Sequence, residues 1–193
     1  MARSRTGNRK APPARSVQED LPSSRPSLAS ATLPRVWQGV GYRPLPDAAA
    51  ARSLFDFAAV PWPDGSDIAV AWGAWRAPRP ARAEDAAERL VGAVVTETGG
   101  RASMLHGPVV VDADAALEIA AQLVAAVLDH LTAAGAETIF TRPQGLDRVW
   151  VRFGFIPVPE STLPQGLTGR AGSGLYAWRG GSALWTLRET ARA

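Results

Sequence analysis

The clearest pattern of hydrophobic and polar positions lies between residues 109 and 155. Three consecutive valines at 109–111 predict a buried strand, and apolar positions across 117–131 recur at spacings of three and four. Such spacing places them on one face of a long helix. Residues 137–141 are rich in β-branched and aromatic residues, which is typical of a strand. A strand, helix and strand of this length predict a right-handed crossover between two parallel strands.

The boundaries of this unit follow from its polar and glycine residues. Asp112 or Asp114 is expected to cap the start of the long helix, because a carboxylate accepts from free backbone N–H groups. Gly135 stands where a helix commonly ends in a left-handed turn. A second, short helix is predicted over 146–153, and Gly154 turns the chain into another strand.

The rest of the chain predicts a mixed sheet. Gly99-Gly100 is a hairpin turn signal between two antiparallel strands, and Asp47 is expected to cap an early helix. Trp72 and Trp75 stand at odd spacing, so one of them is expected outward or at a groove. The further predicted elements are strands at 36–43, 68–75, 89–97, 101–111 and 155–158, a helix at 48–59, and a terminal hairpin of 174–179 and 182–188. The fold class is α/β, with a mostly antiparallel sheet, one parallel β-α-β crossover and helices on both faces.

Two segments of the chain carry no predicted helix or strand. Residues 1–33 lack a hydrophobic period and are rich in Ser, Pro, Arg and Ala, so we predict a disordered tail before one domain at 34–190. Residues 159–173 form a loop long enough to be a lid or a binding loop. The first 35 residues hold seven basic and two acidic residues. This basic tail is either a solubilising extension or a contact for nucleic acid or anionic lipid.

Composition excludes several kinds of site. The chain has no cysteine, which excludes disulfides, thiolate metal sites and a cysteine nucleophile. Its two histidines, His106 and His130, argue against an all-histidine metal site, and we predict no metal. No apolar run is expected to span a membrane and no secretory signal is evident, so the protein is expected in the cytoplasm. Exposed tryptophans on the early strands would suit a homodimer.

Three segments resemble the GNAT superfamily of N-acetyltransferases. Residues 148–155, Arg-Val-Trp-Val-Arg-Phe-Gly-Phe, are similar to that family's late motif, a short helix ending in an aromatic residue or leucine before Gly-Phe. Residues 119–124 stand where the family has Ile-Gly-x-x-Leu-Leu on its main helix, and 175–185 look like its last two strands. The resemblance covers about 36–188 and implies a GNAT-like fold.

The resemblance also implies a co-substrate and its site. Acetyl-CoA would lie in a V-shaped gap between the strand before the main helix and the strand after it. The pantetheine arm would pair with backbone groups, and the pyrophosphate would bind free N–H groups where the helix begins. The residues implied in cofactor binding are Val109, Val110, Val111, Ala116, Leu117, Ile119, Ala120 and Ala121.

The sequence departs from the family at the phosphate loop and at the acid. Ala115 replaces a basic or amide residue, and Glu118 replaces the first glycine, where a carboxylate would repel phosphate. Trp150 stands in place of the acid tyrosine, and an indole cannot donate a proton as a phenol does. Pro143 stands in place of an asparagine. We therefore describe a divergent member with a degenerate phosphate-binding loop.

Three residues remain as candidates for acid–base chemistry. His106 lies on the strand that leads into the gap and could serve as the base, and Glu97 ends the neighbouring strand. Tyr176 lies near the acceptor side in the family's layout and could be the acid. Each also has an ordinary structural interpretation, in strand hydrogen bonding, solvation or packing. Two functions stay open: an acyl-CoA-dependent N-acetyltransferase acting on a small-molecule or peptide amine, or an inactive GNAT-like module that binds a partner or small ligand.

Overall fold

A computed structural model describes residues 27–63, 68–78, 87–168 and 184–188. Its helices are α1 (Leu28–Ala31), α2 (Arg52–Phe57), α3 (Ala116–Ala133) and α4 (Asp147–Arg152). Its strands are β1 (Arg35–Trp37), β2 (Val40–Pro44), β3 (Ile68–Arg76), β4 (Arg89–Gly99), β5 (Ala102–Val110), β6 (Thr138–Thr141), β7 (Ile156–Val158) and β8 (Leu184–Arg188). Short 3-10 helices cover Ala48–Ala51, Glu160–Thr162 and Gln165–Leu167.

These strands form one sheet in the order β1-β2-β3-β4-β5-β6-β8-β7. Among the described strands, only β5 and β6 run parallel, and α3 connects them. Gly100 makes the β4–β5 turn with a φ of 67°, a conformation that glycine adopts without steric cost. The predicted mixed sheet with one parallel crossover is confirmed, as is the hairpin at Gly99-Gly100.

Helix α3 packs its apolar face on strands β2 to β5. Its residues at the predicted three- and four-residue spacings are buried, and they form the largest core cluster together with Trp72, Leu105 and Trp150. By length and hydropathy α3 would also suit a membrane span, contrary to the expectation that no apolar run is long enough. Its packing on the sheet is that of a core helix in a globular domain.

The opposite face of the sheet is covered by Ala48–Ala51 and α2. Asp47 caps this segment as predicted, since its Oδ1 accepts from the Ala49 N–H at 2.8 Å. Phe55 is fully buried and meets the edge of Trp62 with ring centroids 5.1 Å apart. Trp72 and Trp75 do lie on opposite faces, but neither points outward, since each packs in one of the two cores. Helices therefore cover both faces, as predicted.

Two local features differ from the sequence-based predictions. The single strand predicted at 36–43 is a hairpin of β1 and β2, because Gln38 and Gly39 both adopt positive φ (48° and 73°) and reverse the chain. No carboxylate caps α3: its N-cap is Ala115, without a side-chain hydrogen bond. Asp112 is instead paired with Arg76.

The ordered chain begins earlier than residue 34. Helix α1 lies within the segment assigned to the tail, and Ala31 is buried against α3. The remainder of that segment, residues 1–26, lies outside the described residues, as does the predicted strand at 174–179. The second strand of the terminal hairpin corresponds to β8, which pairs with β6 and β7.

Candidate functional site

Strands β5 and β6 separate partway along their length. Their parallel ladder runs from Ala102 paired with Thr138 to Leu105 paired with Thr141, where β6 ends. Strand β5 continues to Val110 along β4 alone. A V-shaped gap therefore opens at the carboxyl ends of the two parallel strands, where the resemblance implied one.

A β-bulge on β5 lies at the point of separation. Between the pairs Ala93–Val109 and Val95–His106, β5 holds one residue more than β4. Gly107 within it has a φ of 87°, and a Cβ there would lie 2.9 Å from the Val109 nitrogen. Bulges of this kind bend a strand and end regular pairing.

The gap contains a pocket of about 230 Å³. Its walls come from β5, the start of α3, the β6–α4 connection, α4 and the segment after α2. The lining residues are Ala58, Val60, Gly107, Pro108, Val109, Val110, Ala116, Gln144, Gly145, Leu146 and Trp150. None of these described lining residues is ionisable, and Gln144 and Trp150 alone carry a polar side-chain atom. The pocket therefore suits a narrow, largely apolar chain with a few backbone hydrogen bonds.

The wall formed by β5 offers backbone groups to such a chain. The Val111 N–H donates to the Val91 carbonyl at 2.9 Å, which directs Val111 toward β4. Alternate residues of a strand direct their backbone groups to opposite sides. Val110 therefore directs its N–H and carbonyl into the gap. Pro108, which lacks an N–H, offers only its carbonyl.

The first turn of α3 forms the outer end of the pocket. The first intrahelical bond runs from the Ile119 N–H to the Ala115 carbonyl at 2.9 Å. The N–H groups of Ala116, Leu117 and Glu118 precede it and have no intrahelical acceptor. Because no side chain caps this end, these donors and the helix dipole are available to an anion.

Charged side chains surround the start of α3. Arg76 Nε donates to Asp112 Oδ2 at 2.6 Å, so the charge of Asp112 is compensated. Glu118 accepts a hydrogen bond from the Gln122 amide at 3.0 Å, and this neutral partner does not compensate a negative charge. Burial raises the pKa of Tyr42 to about 12, and the negative charges of Glu118 and Asp112 add to that rise. The repulsion expected for phosphate thus rests on Glu118 and the exposed Asp114.

His106 and Glu97 form a buried pair beside the apex of the gap. His106 Nε2 lies 2.6 Å from Glu97 Oε2, and the two side chains are 10% and 0% exposed. With the carboxylate ionised and the ring neutral, Nε2 carries the hydrogen and Nδ1 keeps a lone pair. His106 directly precedes Gly107 of the pocket wall, but neither His106 nor Glu97 is among the lining residues.

The connection from β6 to α4 closes the other side. Gly145 and Leu146 adopt left-handed conformations, with φ of 96° and 57°. For leucine this region is uncommon, and such outliers are concentrated at binding and active sites. Trp150 is buried, lines the pocket and meets the edge of Phe155 at 5.1 Å. Its indole shapes the pocket but cannot serve as a proton donor to a thiolate.

Only some of the residues predicted to bind the cofactor line the pocket. Val109, Val110 and Ala116 line the pocket. Ile119, Ala120 and Ala121 are buried core residues of α3 outside the lining, whereas Val111 and Leu117 are 39% and 48% exposed. Tyr176 lies outside the described residues. Among the residues that are described, no group of three or more His, Asp or Glu could hold a metal ion.

Of the eleven lining residues, the sequence pointed to only Val109, Val110 and Ala116 as binding residues. The turn at Gln144, Gly145 and Leu146 was predicted only as a connection, although Pro143 and Gly145 are turn signals. Ala58 and Val60 were assigned to a helix end and a loop. No sequence pattern places these residues beside β5, because their proximity depends on how α2 and α4 pack against the sheet.

The comparisons with known proteins rest on structure. The chain matches no family model and no curated protein. An IAA acetyltransferase from Bacillus cereus ATCC 14579 is 11% identical with a TM-score of 0.50, over 78% of this chain and 99% of that one. A probable GNAT-family acetyltransferase from Chromobacterium violaceum ATCC 12472 is 13% identical with a TM-score of 0.46, over 81% and 91%. A GNAT-family acetyltransferase from Staphylococcus aureus Mu50 is 13% identical with a TM-score of 0.44, over 62% and 66%.

At these identities the similarity shows the fold alone. The first of these structures carries that conclusion, since the match spans nearly its whole length. The chain has the fold of the GNAT acetyltransferases, with the mixed sheet and single parallel crossover predicted from its sequence.

Proposed function

We propose that this protein transfers an acyl group from an acyl-CoA, in the first place acetyl-CoA, to an amine. The observation that carries this proposal is the gap between β5 and β6, which joins a free strand edge to an uncapped helix start. An extended thioester arm with amide groups fits such an edge, because Val110 offers it a donor and an acceptor. The pyrophosphate would bind the N–H groups of Ala116 and Leu117.

The chemistry requires a proton acceptor near the apex of the gap. The amine nitrogen forms a bond to the thioester carbon, the carbon–sulfur bond breaks, and the nitrogen loses one proton. His106 Nδ1 is the group we assign to accept that proton, directly or through water, while Glu97 holds the ring and stabilises its charged form. An alkyl thiol titrates at about pH 8.5, so the sulfur can leave as a thiolate that takes its proton from solvent.

Calorimetric titration with acetyl-CoA tests the proposal. Wild-type protein should bind, and Ala116→Phe, which fills the pocket where the helix begins, should weaken binding at least tenfold. Val151→Phe is the matched control, since Val151 lies on α4 beside Trp150 but is 63% exposed and outside the lining. Equal affinity of Ala116→Phe and wild type, or no binding by either, would refute the assignment of the pocket.

A second candidate function is a binding module without catalysis. Glu118 beside the phosphate position and the tryptophan in place of a phenolic acid favour it. Under this alternative, acetyl-CoA would bind weakly or not at all until Glu118→Gly restored an open helix start. Binding that is gained only in this variant, with no release of thiol in the presence of amines, would support the module.

Two further expectations belong with the proposed enzyme. The first is that the protein lies in the cytoplasm, where acetyl-CoA is present. A homodimer is also expected, and Trp37 on the edge strand β1, 49% exposed beside Val36 at 77%, is the surface we assign to it. Sedimentation of the wild type and Trp37→Ser would test this; a monomeric wild type at micromolar concentration would contradict it.

A further inference from the structure

Arg142 is a buried cation with incomplete pairing. Its side chain is 7% exposed, and it follows Thr141, the last residue of β6 in the parallel ladder. Nη2 donates to Glu160 Oε2 at 2.7 Å, and Nη1 faces the sulfur of Met104 at 3.9 Å. Nε is buried and has no hydrogen-bond partner among the residues that the structure describes. A guanidinium this deeply buried is ordinarily paired along a whole edge, by two parallel bonds to one carboxylate.

Arg142 lies on the same face of the sheet as the His106–Glu97 pair. Phe140 and Met104 belong to the core cluster on that face, and side chains two residues apart on a strand share a face. Met104 is paired in register with Glu97 and contacts Arg142. One buried methionine therefore separates the guanidinium from the glutamate that holds His106.

Glu160 is the exposed partner in this ion pair. It begins the short 3-10 helix Glu160–Thr162 in the predicted lid loop, and its side chain is 45% exposed. A single oxygen of Glu160 reaches one nitrogen of Arg142, which leaves the Nε position open. A carboxylate that displaced Glu160 could accept from both Nη2 and Nε.

We propose that Arg142 binds the carboxylate of the acceptor, so that the acceptor is an amine with a carboxylate a few bonds away, as in an amino acid. Glu160 occupies the guanidinium until the acceptor arrives and then moves out toward solvent. This inference rests on the proposed function, because it names the acceptor class for the same gap. The acceptor carboxylate on Arg142 would direct its amine toward His106, at the adjacent position across the strands.

Matched substrates test the acceptor class. Thiol release from acetyl-CoA is measured with phenylalanine, phenylalaninamide and phenethylamine, and then with a panel of other amino acids and their amides; the protein itself contributes no thiol. We expect kcat/KM for the acids to exceed that for the amides at least tenfold. Arg142→Met should abolish the difference between acids and amides.

Glu160→Gln separates a binding role from a structural one. If Glu160 competes with the acceptor, removing its charge lowers KM for the acids; if it only holds Arg142 in place, KM rises or stays unchanged, which would overturn the proposal. Glu137→Gln is the matched control, because Glu137 pairs with Arg101 at 2.7 Å on the exposed surface. Thermal unfolding followed by circular dichroism verifies that each variant is folded.

Calorimetric binding measurements distinguish this proposal from the proposed function. N-acetylphenylalanine and its amide are titrated by calorimetry into the wild type, Arg142→Met and Glu160→Gln, with no turnover required. If acetyl-CoA binds but acids and amides bind alike, the inference about Arg142 fails and the proposed function stands. If acids bind through Arg142 but acetyl-CoA does not bind, the proposed function fails and the carboxylate site stands.

Discussion

The His106–Glu97 pair is the only place among the described residues where a histidine meets a carboxylate within hydrogen-bond distance. Glu97 is fully buried, and burial of a carboxylate is costly unless it is hydrogen-bonded. The bond to His106 supplies Glu97 with such a partner, and the proposed function assigns the pair to proton transfer. In the regular part of the β4–β5 ladder Val95 pairs with His106 and Glu97 with Met104, so Glu97 and His106 are diagonal neighbours on one face of the sheet.

Removing the proposed base should lower turnover more than binding. His106→Ala is expected to reduce kcat by about 10²-fold or more, the usual contribution of a general base, with acetyl-CoA affinity within threefold of the wild type. Glu97→Gln should give a smaller decrease and a shifted pH–rate profile, because the ring loses its charged partner. His130→Gln is the control histidine variant. Unchanged kcat in His106→Ala would contradict the assignment.

His130 is expected to make the stability of the fold decrease at acidic pH. Trp72 Nε1 donates to His130 Nδ1 at 3.3 Å, and burial lowers the pKa of His130 below its usual 6.5. The unfolded state therefore binds this proton more readily, so stability is lost as pH falls through about 6.5 toward the lower folded-state pKa. Urea unfolding at pH 7.5 and 5.5 should show a larger loss for the wild type than for His130→Gln. Equal losses would show that His130 contributes nothing to this dependence.

At the scale of elements, the close contact between α3 and the sheet determines how the gap opens. Gly92 on β4 allows this approach: a Cβ there would lie 3.1 Å from the Val109 carbonyl oxygen and 3.2 Å from a methyl of Leu123. The same residue faces Val110 in the ladder. Packing of the helix and the position of the pocket wall are therefore coupled through one glycine.

Gly92→Ala should destabilise the protein and also disturb the pocket. Crowding of a packed core typically costs about 1–3 kcal/mol, and here the displaced atoms belong to α3 and β5. Gly41→Ala on β2 is the control, because its Cβ would meet only the Trp75 carbonyl oxygen, at 3.8 Å. Chemical unfolding and acetyl-CoA titration of both variants provide the measurement. A Gly92→Ala protein as stable as Gly41→Ala would refute the close contact.

Sequence patterns predicted the elements whose residues repeat. The three- and four-residue spacing of α3, the β-branched run of β6 and the Gly99-Gly100 turn each carry a local signal, and each was confirmed. The β1–β2 turn was missed because Gln38 is not a residue that favours positive φ. The cap of α3 was wrong because Asp112 binds Arg76, a partner from a distant strand. Tertiary contacts of this kind leave no local pattern.

The candidate site was predicted less completely than the fold. The resemblance pointed to the strand before α3 and to the helix start, which do line the pocket. Arg142 could not be predicted as a site residue, because a lone arginine after a strand carries no motif. Its significance comes from burial and from an unpaired Nε, which are properties of the folded chain.

For the whole molecule, the site is assembled from parts that are distant in sequence. Pocket residues come from 58–60, 107–116 and 144–150, and the proposed acceptor group adds 142 and 160. Helix α1 contributes from further away, since it packs on α3, whose start is the proposed site for the pyrophosphate. The stability of the site is thus expected to follow that of the domain.

Two deletions separate the basic tail from α1. Removing residues 1–33 should lower the free energy of unfolding relative to removing residues 1–26, because only the longer deletion removes Ala31 from its buried position on α3. Urea unfolding of the two proteins measures the difference. Binding to DNA at two salt concentrations, compared between full-length protein and the shorter deletion, tests the tail as a phosphate contact. Equal stability of the two deletions would show that α1 does not support the domain.

The separation of β5 from β6 predicts which backbone amide a bound ligand would protect from hydrogen exchange. A sheet with a missing partner strand leaves amides open to solvent, and a bound thioester arm would act as that partner along Val110. Amide hydrogen–deuterium exchange at Val110 should therefore slow when acetyl-CoA binds, while Val111, already bonded to Val91, should change little. The ligand would act as an added strand of the sheet, and the degree of exchange protection at Val110 would report its affinity.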